Sequence, residues 1–424
     1  MSKVHVITQG CTANQADSEI MQGLLLKQGH SLVGEDEADA IVYNSCSVKG
    51  PTITAFKKKL KSLRDAGKKV IVAGCIPQSN KGMGELSGHS LLGTDQVDKI
   101  GDVVDGTLSG QVVSHLEKSD LVRINLPSVR SVSFIEAVPI LQGCLSSCTF
   151  CKTKHARGNA FSYPMNDIVR KISSSVKEGV KEIWLTSQDN SVYGFENGTN
   201  LAELLVAIDS IDRDFKVRVG MANPKHMLPY LPALISAFKL DSVYKFLHLP
   251  LQAGSDRVLE EMKRGYTVKE FMSIVDAFRK EIPSISISTD IICGFPTESD
   301  ADFEETLSVV KEMRPDTINI SRFWPMEGTP AKRMKQIEGG VIKERTRRMT
   351  ELFHSVALDR NKEWIGWSGK VFIDEEGTPG SWKGRNYAYK QVVVRSSENL
   401  LGKSISVKVI DASSFDVKAE IVSE

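Results

Sequence analysis

A chain of 424 residues, 41% hydrophobic and 25% charged, has the make-up of an ordinary globular protein with room for about two to four domains, which excludes a fibrous or low-complexity chain. Its 54 lysines and arginines against 53 acids leave a formal net charge of +1, so any attraction to nucleic acid has to come from local patches. The start, MSKVHVITQG, has no basic stretch leading into an apolar one, and no uncharged apolar run reaches the about 18 residues that span a bilayer, so a cytoplasmic location and no membrane partner are expected.

From residue 1 to about 115 the chain alternates short β-branched runs with helical pattern. KVHVIT, DAIVYNS and KKVIVAG read as strands buried on both faces, and SEIMQGLLLKQG, ITAFKKKLKSLRDAG and QVDKIGDVVDGTL as helices between them. Helical crossovers force parallel pairing, so an open parallel α/β sheet is expected. A connecting segment, EKSDLVRINLPSVRSVS, leads into a second series over residues 130–364. There FIEAVPI, KEIWLTS, KVRVGMA, VYKFLHLP, SISISTDIIC and DTINISRFW recur at a spacing suited to βα units. Six such units predict a partial (βα)6 barrel with its chemistry at the C-terminal strand ends. After the basic helix KERTRRMTELFHSVALDRNKEW, residues 365–424 hold short strands without helices and with turns expected at Gly377, Gly384 and Gly402. That pattern predicts a small all-β barrel or sandwich, and the whole an α/β protein with a terminal β module.

Seven cysteines in a reducing compartment argue for metal binding or catalysis rather than disulfides. Cys144, Cys148 and Cys151 stand at spacing C-x3-C-x2-C in GCLSSCTFCKTKHARG, directly after the first barrel strand. Thiolates select zinc or iron–sulfur clusters. A closed zinc site needs a fourth ligand, for which His155 is near enough in sequence. A [4Fe-4S] cluster on three cysteines keeps one iron open, and the strand-end position favours that reactive reading. Cys11, Cys46 and Cys75 each follow a strand of the N-terminal series. The C-terminal ends of parallel strands share one edge, so these three are expected to converge, the alternative being that each is a small buried hydrophobe. Cys293, inside ISTDIICGF, is expected to be a buried inert thiol.

With Phe150 immediately before its last cysteine, the C-x3-C-x2-C run resembles the signature of the radical S-adenosylmethionine (SAM) superfamily. Essentially the whole chain resembles the methylthiotransferase family. TQGCTANQADSEIMQG, VYNSCSVKGPT and VAGCIPQ are similar to its N-terminal cluster motifs. GCLSSCTFCKTKHARG, EIWLTSQD, LHLPLQAGSD and TDIICGFPTES are similar to its radical-SAM core, and the C-terminal β module to its TRAM RNA-binding domain. KTKHARGN and NSCSVKGPT resemble the archaeal and eukaryotic branch that acts on N6-threonylcarbamoyladenosine in tRNA. The resemblance implies two [4Fe-4S] clusters. One, on Cys144, Cys148 and Cys151, would cleave SAM; an auxiliary one, on Cys11, Cys46 and Cys75, would carry the sulfur to be inserted. SAM would be methyl donor and radical source for methylthiolation at C2 of an adenine next to the anticodon. The implied partners are the tRNA anticodon loop, an electron donor and a sulfur donor. A methylthiotransferase acting on another tRNA base or on a protein side chain would share these features.

Polar groups at strand ends are candidates for holding SAM. Ser187, Gln188 and Asp189 follow EIWLT and suit the methionine ammonium; Gln252 and Ser255 follow FLHLP and suit the ribose. Gly294 and Phe295, after TDIIC, suit close approach to the adenine and stacking, with Phe150 beside the cluster. Asp189 and Ser255 equally suit turns and helix caps, and Phe295 plain core. His155 and Arg157 read either as contacts to substrate phosphate or the cluster surroundings, or as solvated loop residues.

Two stretches suit RNA. ITAFKKKLKSLRDAGKK puts Phe56, Leu60 and Leu63 on one helix face and cations on the others, and residues 49–69 hold eight basic residues and one acid. In SWKGRNYAYKQVVV, Trp382, Tyr387 and Tyr389 interleave with Lys383, Arg385 and Lys390, a pattern suited either to unpaired bases or to cross-strand packing.

Overall fold

The structure is a computed structural model that describes residues 2–47 and 50–422. Lys49, part of the basic stretch above, lies outside them, as do the last two positions of the β module. No helix among the described residues is long and apolar enough to cross a membrane. The chain forms two compact units, residues 1–200 with 324–333, and residues 201–323 with 334–424.

In the first unit β1 (Lys3–Thr8), β2 (Ser31–Leu32), β3 (Ala40–Ser45), β4 (Lys69–Gly74), β5 (Ser90–Leu92) and β6 (Ser114–His115) form one sheet in the order β2-β1-β3-β4-β5-β6. Every pairing is parallel. Alternate residues of β3 and β4 explain why both faces are apolar. Val42 and Ile71 join Ile20 and Leu25 of α1 (Thr12–Lys27) and Val103 of α4 (Ile100–Leu108). Ile41, Tyr43 and Val72 join Phe56, Leu60 and Leu63 of α2 (Gly50–Asp65). α3 (Cys75–Ser79) begins directly off β4. Further on, β7 (Ile135–Pro139) pairs in parallel with β10 (Glu182–Thr186), Ile135 opposite Glu182 and Pro139 opposite Thr186. Between them β8 (Leu141–Gln142) pairs antiparallel with β9 (Phe161–Ser162), bracketing a loop and the short α5 (Thr153–Arg157); α6 (Met165–Lys177) follows.

The second unit continues the βα series with α7 (Leu201–Asp209), β11 (Lys216–Val219), α8 (Pro224–Met227), α9 (Leu231–Phe238), β12 (Phe246–His248), α10 (Asp256–Glu261), α11 (Val268–Glu281), β13 (Ser286–Cys293), α12 (Asp300–Met313) and β14 (Thr317–Arg322). β12, β13 and β14 lie side by side in parallel. Capping boxes start two of the helices, Thr267 with Glu270 on α11 and Ser299 with Asp302 on α12. After α13 (Gly339–Lys362), β15 (Ser368–Glu376), β16 (Ser381–Arg385), β17 (Gln391–Arg395), β18 (Ser404–Ala412) and β19 (Val417–Ile421) close a barrel in the order β15-β16-β17-β19-β18. The fold is thus α/β, an N-terminal parallel sheet and a βα core ending in a closed five-stranded barrel.

The structure corrects two details of the β module. Gly384 is not at a turn but inside β16, where a Cβ would lie 2.4 Å from the Phe372 carbonyl oxygen, so glycine lets adjacent strands close up. Of the aromatic and basic residues that suited either RNA or packing, Tyr389, Arg385 and Lys390 are engaged within the unit, while Tyr387 stays partly open to solvent. Tyr389 sits against Tyr244 and Phe246, with ring centroids 4.9 and 5.1 Å away, and Arg218 and Arg385 lie over its ring. Tyr387 leans on Trp364 and Trp367. Lys390 is buried, its Nζ 2.7 Å from Asp316 Oδ1 and 2.9 Å from Asn361 Oδ1.

Burial acts to raise the Asp316 pKa, but the charges of Lys390 and Arg360 outweigh it and hold the carboxyl below the usual aspartate range. A carboxylate depressed on folding stabilises above its unfolded pKa of about 3.9 and loses that contribution as pH falls through the lower folded value. Lys390→Met should therefore cost about 3 kcal/mol at pH 7 by leaving Asp316 with Arg360, 3.5 Å away, as its remaining ion pair beside the Ile287 N–H. Urea unfolding should show the gap to wild type narrowing from pH 5 to pH 3.

Candidate functional site

Parallel register brings the N-terminal cysteines together. Ser45 pairs with Gly74, so Cys46 and Cys75 leave adjacent strands at the same level. Thr8 pairs with Asn44, and Cys11, three residues past Thr8, is the N-cap of α1. Gly10, at φ +147°, has room only because it lacks a side chain: a Cβ there would lie 2.8 Å from Cys46 Cβ. Gly74, at φ +90°, is crowded in the same way: a Cβ there would lie 2.2 Å from Asn44 Oδ1.

Asn14, fully buried and absent from the sequence-based candidates, is the hub of this trio. Its Oδ1 accepts from Cys11 Sγ at 3.4 Å, and its Nδ2 donates to Asn44 Oδ1, to the Ser45 carbonyl and, at 4.0 Å, to Cys75 Sγ. The signal was the C-x2-N spacing at the start of α1, which puts residue 14 one turn beyond Cys11. Cys46 and Cys75 are each 4% exposed, whereas Cys11 is open to solvent.

The second trio lies on the loop clasped by β8 and β9. Gly143, at φ +80°, approaches Asn159 so closely that a Cβ would stand 1.8 Å from its carbonyl oxygen, and Cys144 N–H donates to the Gly158 carbonyl. Ser146 N–H donates to Cys144 Sγ at 3.3 Å, and Cys151 N–H to the Cys148 carbonyl at 3.1 Å. Burial pushes the Cys144 thiol up to about 12, helped by the Asp189 carboxylate and by Cys151 and Cys148, with the Ser146 N–H opposing. Cys144 thus feels the charges of Asp189, Cys148 and Cys151.

A short helix joins the two trios. α5 starts two residues after Cys151 and ends in Arg157, which is not a solvated loop residue but 3% exposed. Its Nη2 lies 2.7 Å from Asp17 Oδ2, and Arg123 Nη1 lies 2.5 Å from Asp17 Oδ1, all three residues buried. Burial raises the Cys75 thiol pKa, while the Arg157 charge and hydrogen bond work against it. Arg157 thus lends positive charge to the first trio from the helix that follows the second, and it cannot reach a substrate phosphate. His155 faces the turn at Gly328.

The other predicted residues divide clearly. Gln188 Oε1 accepts from Gly143 N–H at 2.7 Å and so steadies the cysteine loop. Ser187 Oγ accepts from Asp189 N–H, and Asp189 caps the following turn through Ser191 N–H at 3.1 Å. Phe150 is half-buried next to Cys151. In the second unit Gln252 has a left-handed backbone, φ +74°, locked by bonds to Asp290 and Ile292, a strained conformation of the kind held at functional positions. Ser255 is buried with its hydroxyl on Asp302 Oδ1, Phe295 is fully buried against Phe323, and Gly294 makes room for Ile342 of α13. Packing, rather than an open cofactor surface, accounts for these last three. Cys293 is fully buried, its thiol pushed up to about 12 mainly by that burial.

Residues 138–310 match the model of the radical SAM superfamily, and residues 3–90 that of Uncharacterized protein family UPF0004. The threonylcarbamoyladenosine tRNA methylthiotransferase of Drosophila melanogaster is 40% identical over all of this chain and 78% of its own length. The probable threonylcarbamoyladenosine tRNA methylthiotransferase of Pyrococcus horikoshii is 40% identical over the full length of both chains. The chain belongs to the threonylcarbamoyladenosine tRNA methylthiotransferase family. In fold it is similar to the radical SAM methyltransferase TsrM from Kitasatospora setae, at TM-score 0.58 and 12% identity over 78% of this chain and 74% of that one.

The donor sets fit what a member of this family is expected to hold. Each trio offers three soft ligands, none in a disulfide, the set that selects zinc or iron–sulfur centres. Among the described residues no His, Cys, Asp or Glu trio is grouped for a single metal ion, a grouping that a cube of several irons does not require.

Asp17 is the common counter-charge of two buried guanidinium groups. Asp17→Asn keeps its shape and removes its charge, and should destabilise the protein by about 3–5 kcal/mol. Equilibrium urea unfolding of the purified variant against wild type measures this.

Proposed function

We propose that this chain is a tRNA-modifying enzyme that converts N6-threonylcarbamoyladenosine next to the anticodon into its 2-methylthio derivative, with two [4Fe-4S] clusters and SAM as cofactors. The observation that carries the reading is the pair of cysteine trios in one compact unit, each at strand ends and linked through α5. Family membership along the full chain supplies the substrate class. Residues 1–115 would form the methylthiotransferase domain, 130–364 the radical SAM domain and 365–424 a TRAM-like domain. The remaining partners would be an electron donor and a sulfur donor, in the cytoplasm.

When bound, the clusters supply the electron that cleaves SAM and the sulfur that is transferred. The chain's own residues do the holding. Cys144, Cys148 and Cys151 are the ligands for the SAM-cleaving cluster, and Cys11, Cys46 and Cys75 for the auxiliary one. Gln188 and the β8–β9 clasp keep the first set on a rigid loop. Asn14 and Arg157 give the second set a hydrogen bond and a positive charge, the partners that a buried thiolate needs. Within the first unit Ser187 and Phe150 would contact SAM, while Asp189 holds the loop beside them; within the second, Gln252 keeps a strained backbone, and Ser255, Gly294 and Phe295 hold the loops near it. C2 of an adenine is too inert for acid–base activation, so a radical source beside a sulfur source is what the reaction requires.

Nucleoside mass spectrometry of cells lacking this protein should show loss of the 2-methylthio derivative, restored by wild type and not by Cys46→Ala or Cys148→Ala. Anaerobically reconstituted wild type should hold about eight irons and the Cys11/Cys46/Cys75 triple alanine variant about four. Full restoration by Cys46→Ala would refute the two-cluster reading.

A further inference from the structure

We propose that Trp324 is a stacking platform for an unpaired base of the RNA substrate; the proposal rests on the tRNA-modifying reading and adds the contact that holds the anticodon loop beside the cysteines. Trp324 follows β14 and opens the segment 324–333 of the first unit. It is 52% exposed, a large aromatic surface left to water. The ring rests on Gly50, where a Cβ would stand 2.2 Å from Trp324 Cδ2 and 2.3 Å from Cε2, so the glycine is what lets the indole lie there.

The platform is rigid. Pro325 restricts the preceding residue to extended backbone. A turn follows, in which Thr329 N–H and Oγ1 both bond the Met326 carbonyl and Gly328 takes φ +80°. The segment is then pinned to the second cysteine loop, since Ala331 N–H donates to the Thr149 carbonyl at 3.0 Å and Lys152 Nζ to the Glu327 carbonyl at 2.7 Å. Trp324 is thereby anchored on one side four residues beyond Cys46 and on the other beside Cys148 and Cys151. A preset aromatic ring with two side-chain torsions stacks on a base at little entropic cost.

Charge identifies the occupant. α2 runs from Gly50 with Lys57, Lys58, Lys61 and Arg64 exposed; Lys57 and Lys61 pair with Glu85 and Asp65, and Lys58 and Arg64 add positive charge. An exposed aromatic at the start of a helix whose exposed cations follow from about 10 Å along its axis suits an unpaired base with the phosphates next to it, whereas an apolar protein segment would gain nothing from the cations.

The test uses reconstituted full-length enzyme and a fluorescein-labelled anticodon stem-loop carrying threonylcarbamoyladenosine, titrated anaerobically at several salt concentrations. W324A should weaken binding about 5- to 100-fold and W324F by under about threefold, because stacking needs only an aromatic face. The salt slope should stay as in wild type for W324A and fall for the Lys58→Ala/Arg64→Ala double variant, since only the latter removes phosphate contacts. Unchanged affinity in W324A would overturn the proposal. So would equally weak binding by W324A and W324F with both melting points lowered, which would assign the ring to packing on Gly50. Unchanged RNA affinity with slower reduction by a protein electron donor than by dithionite would place a protein on the ring and overturn it as well. If wild type forms no methylthio product while W324A still weakens RNA binding, the enzymatic reading fails and the platform stands.

Discussion

Parallel register is the constraint on which the site depends. Because Ser45 faces Gly74 across β3 and β4, the two cysteines that follow emerge side by side from the most deeply buried part of the sheet. Their positions are set by the backbone ladder, not by flexible loops, and a slip of one residue would turn every inward side chain of the strand outward. The cost of such crowding is visible in the residues around it. Gly10 and Gly74 take backbone angles open mainly to glycine, and Asn14 is buried with each polar end bonded, as a buried amide must be.

The second consequence concerns how two sites can be held in fixed relation. A buried ion pair contributes little net stability, because desolvation offsets most of the attraction. The Asp17 pair with Arg157 and Arg123 therefore acts chiefly on geometry. Asp17 belongs to α1, which begins at Cys11; Arg157 ends α5, which begins just past Cys151. One carboxylate thus clamps the helix of one cysteine loop to the helix of the other. A charge buried in this way tolerates no shift of either helix by even a fraction of a turn, since any shift leaves a guanidinium without its partner.

Much of this was legible from the order of residues. β1, β3 and β4 begin and end where apolar runs do, and Phe56, Leu60 and Leu63 sit inward as their spacing requires. What periodicity could not supply were interactions between residues distant in sequence. Arg157 reads as a loop cation until Asp17, 140 positions earlier, is beside it. Phe295 and Ser255 carry types that suit a ligand, and only three-dimensional neighbours, Phe323 and Asp302, reveal that they are already engaged. DTINISRFW gave a strand correctly to Arg322, but the following Pro325 and the Gly50 contact that turn Trp324 outward belong to tertiary structure.

The β module shows why composition alone misplaces a nucleic-acid surface. Interleaved aromatics and cations in SWKGRNYAYK have two uses, since the same cation–π and ring-edge contacts that grip a base also seal one element of a protein to another. Here Tyr389 is enclosed by Arg218, Arg385, Tyr244 and Phe246, and Lys390 is spent on Asp316. With those groups turned inward, positive potential in a chain of net charge +1 has to come from somewhere else. α2 satisfies that need, because its apolar stripe is complete with Phe56, Leu60 and Leu63, leaving Lys57, Lys58, Lys61 and Arg64 exposed while Lys59 is held by Glu35. The positive charge that Lys58 and Arg64 add to the solvent face of this helix favours an anion, and its first residue, Gly50, lies under an exposed indole that adjoins both cysteine loops.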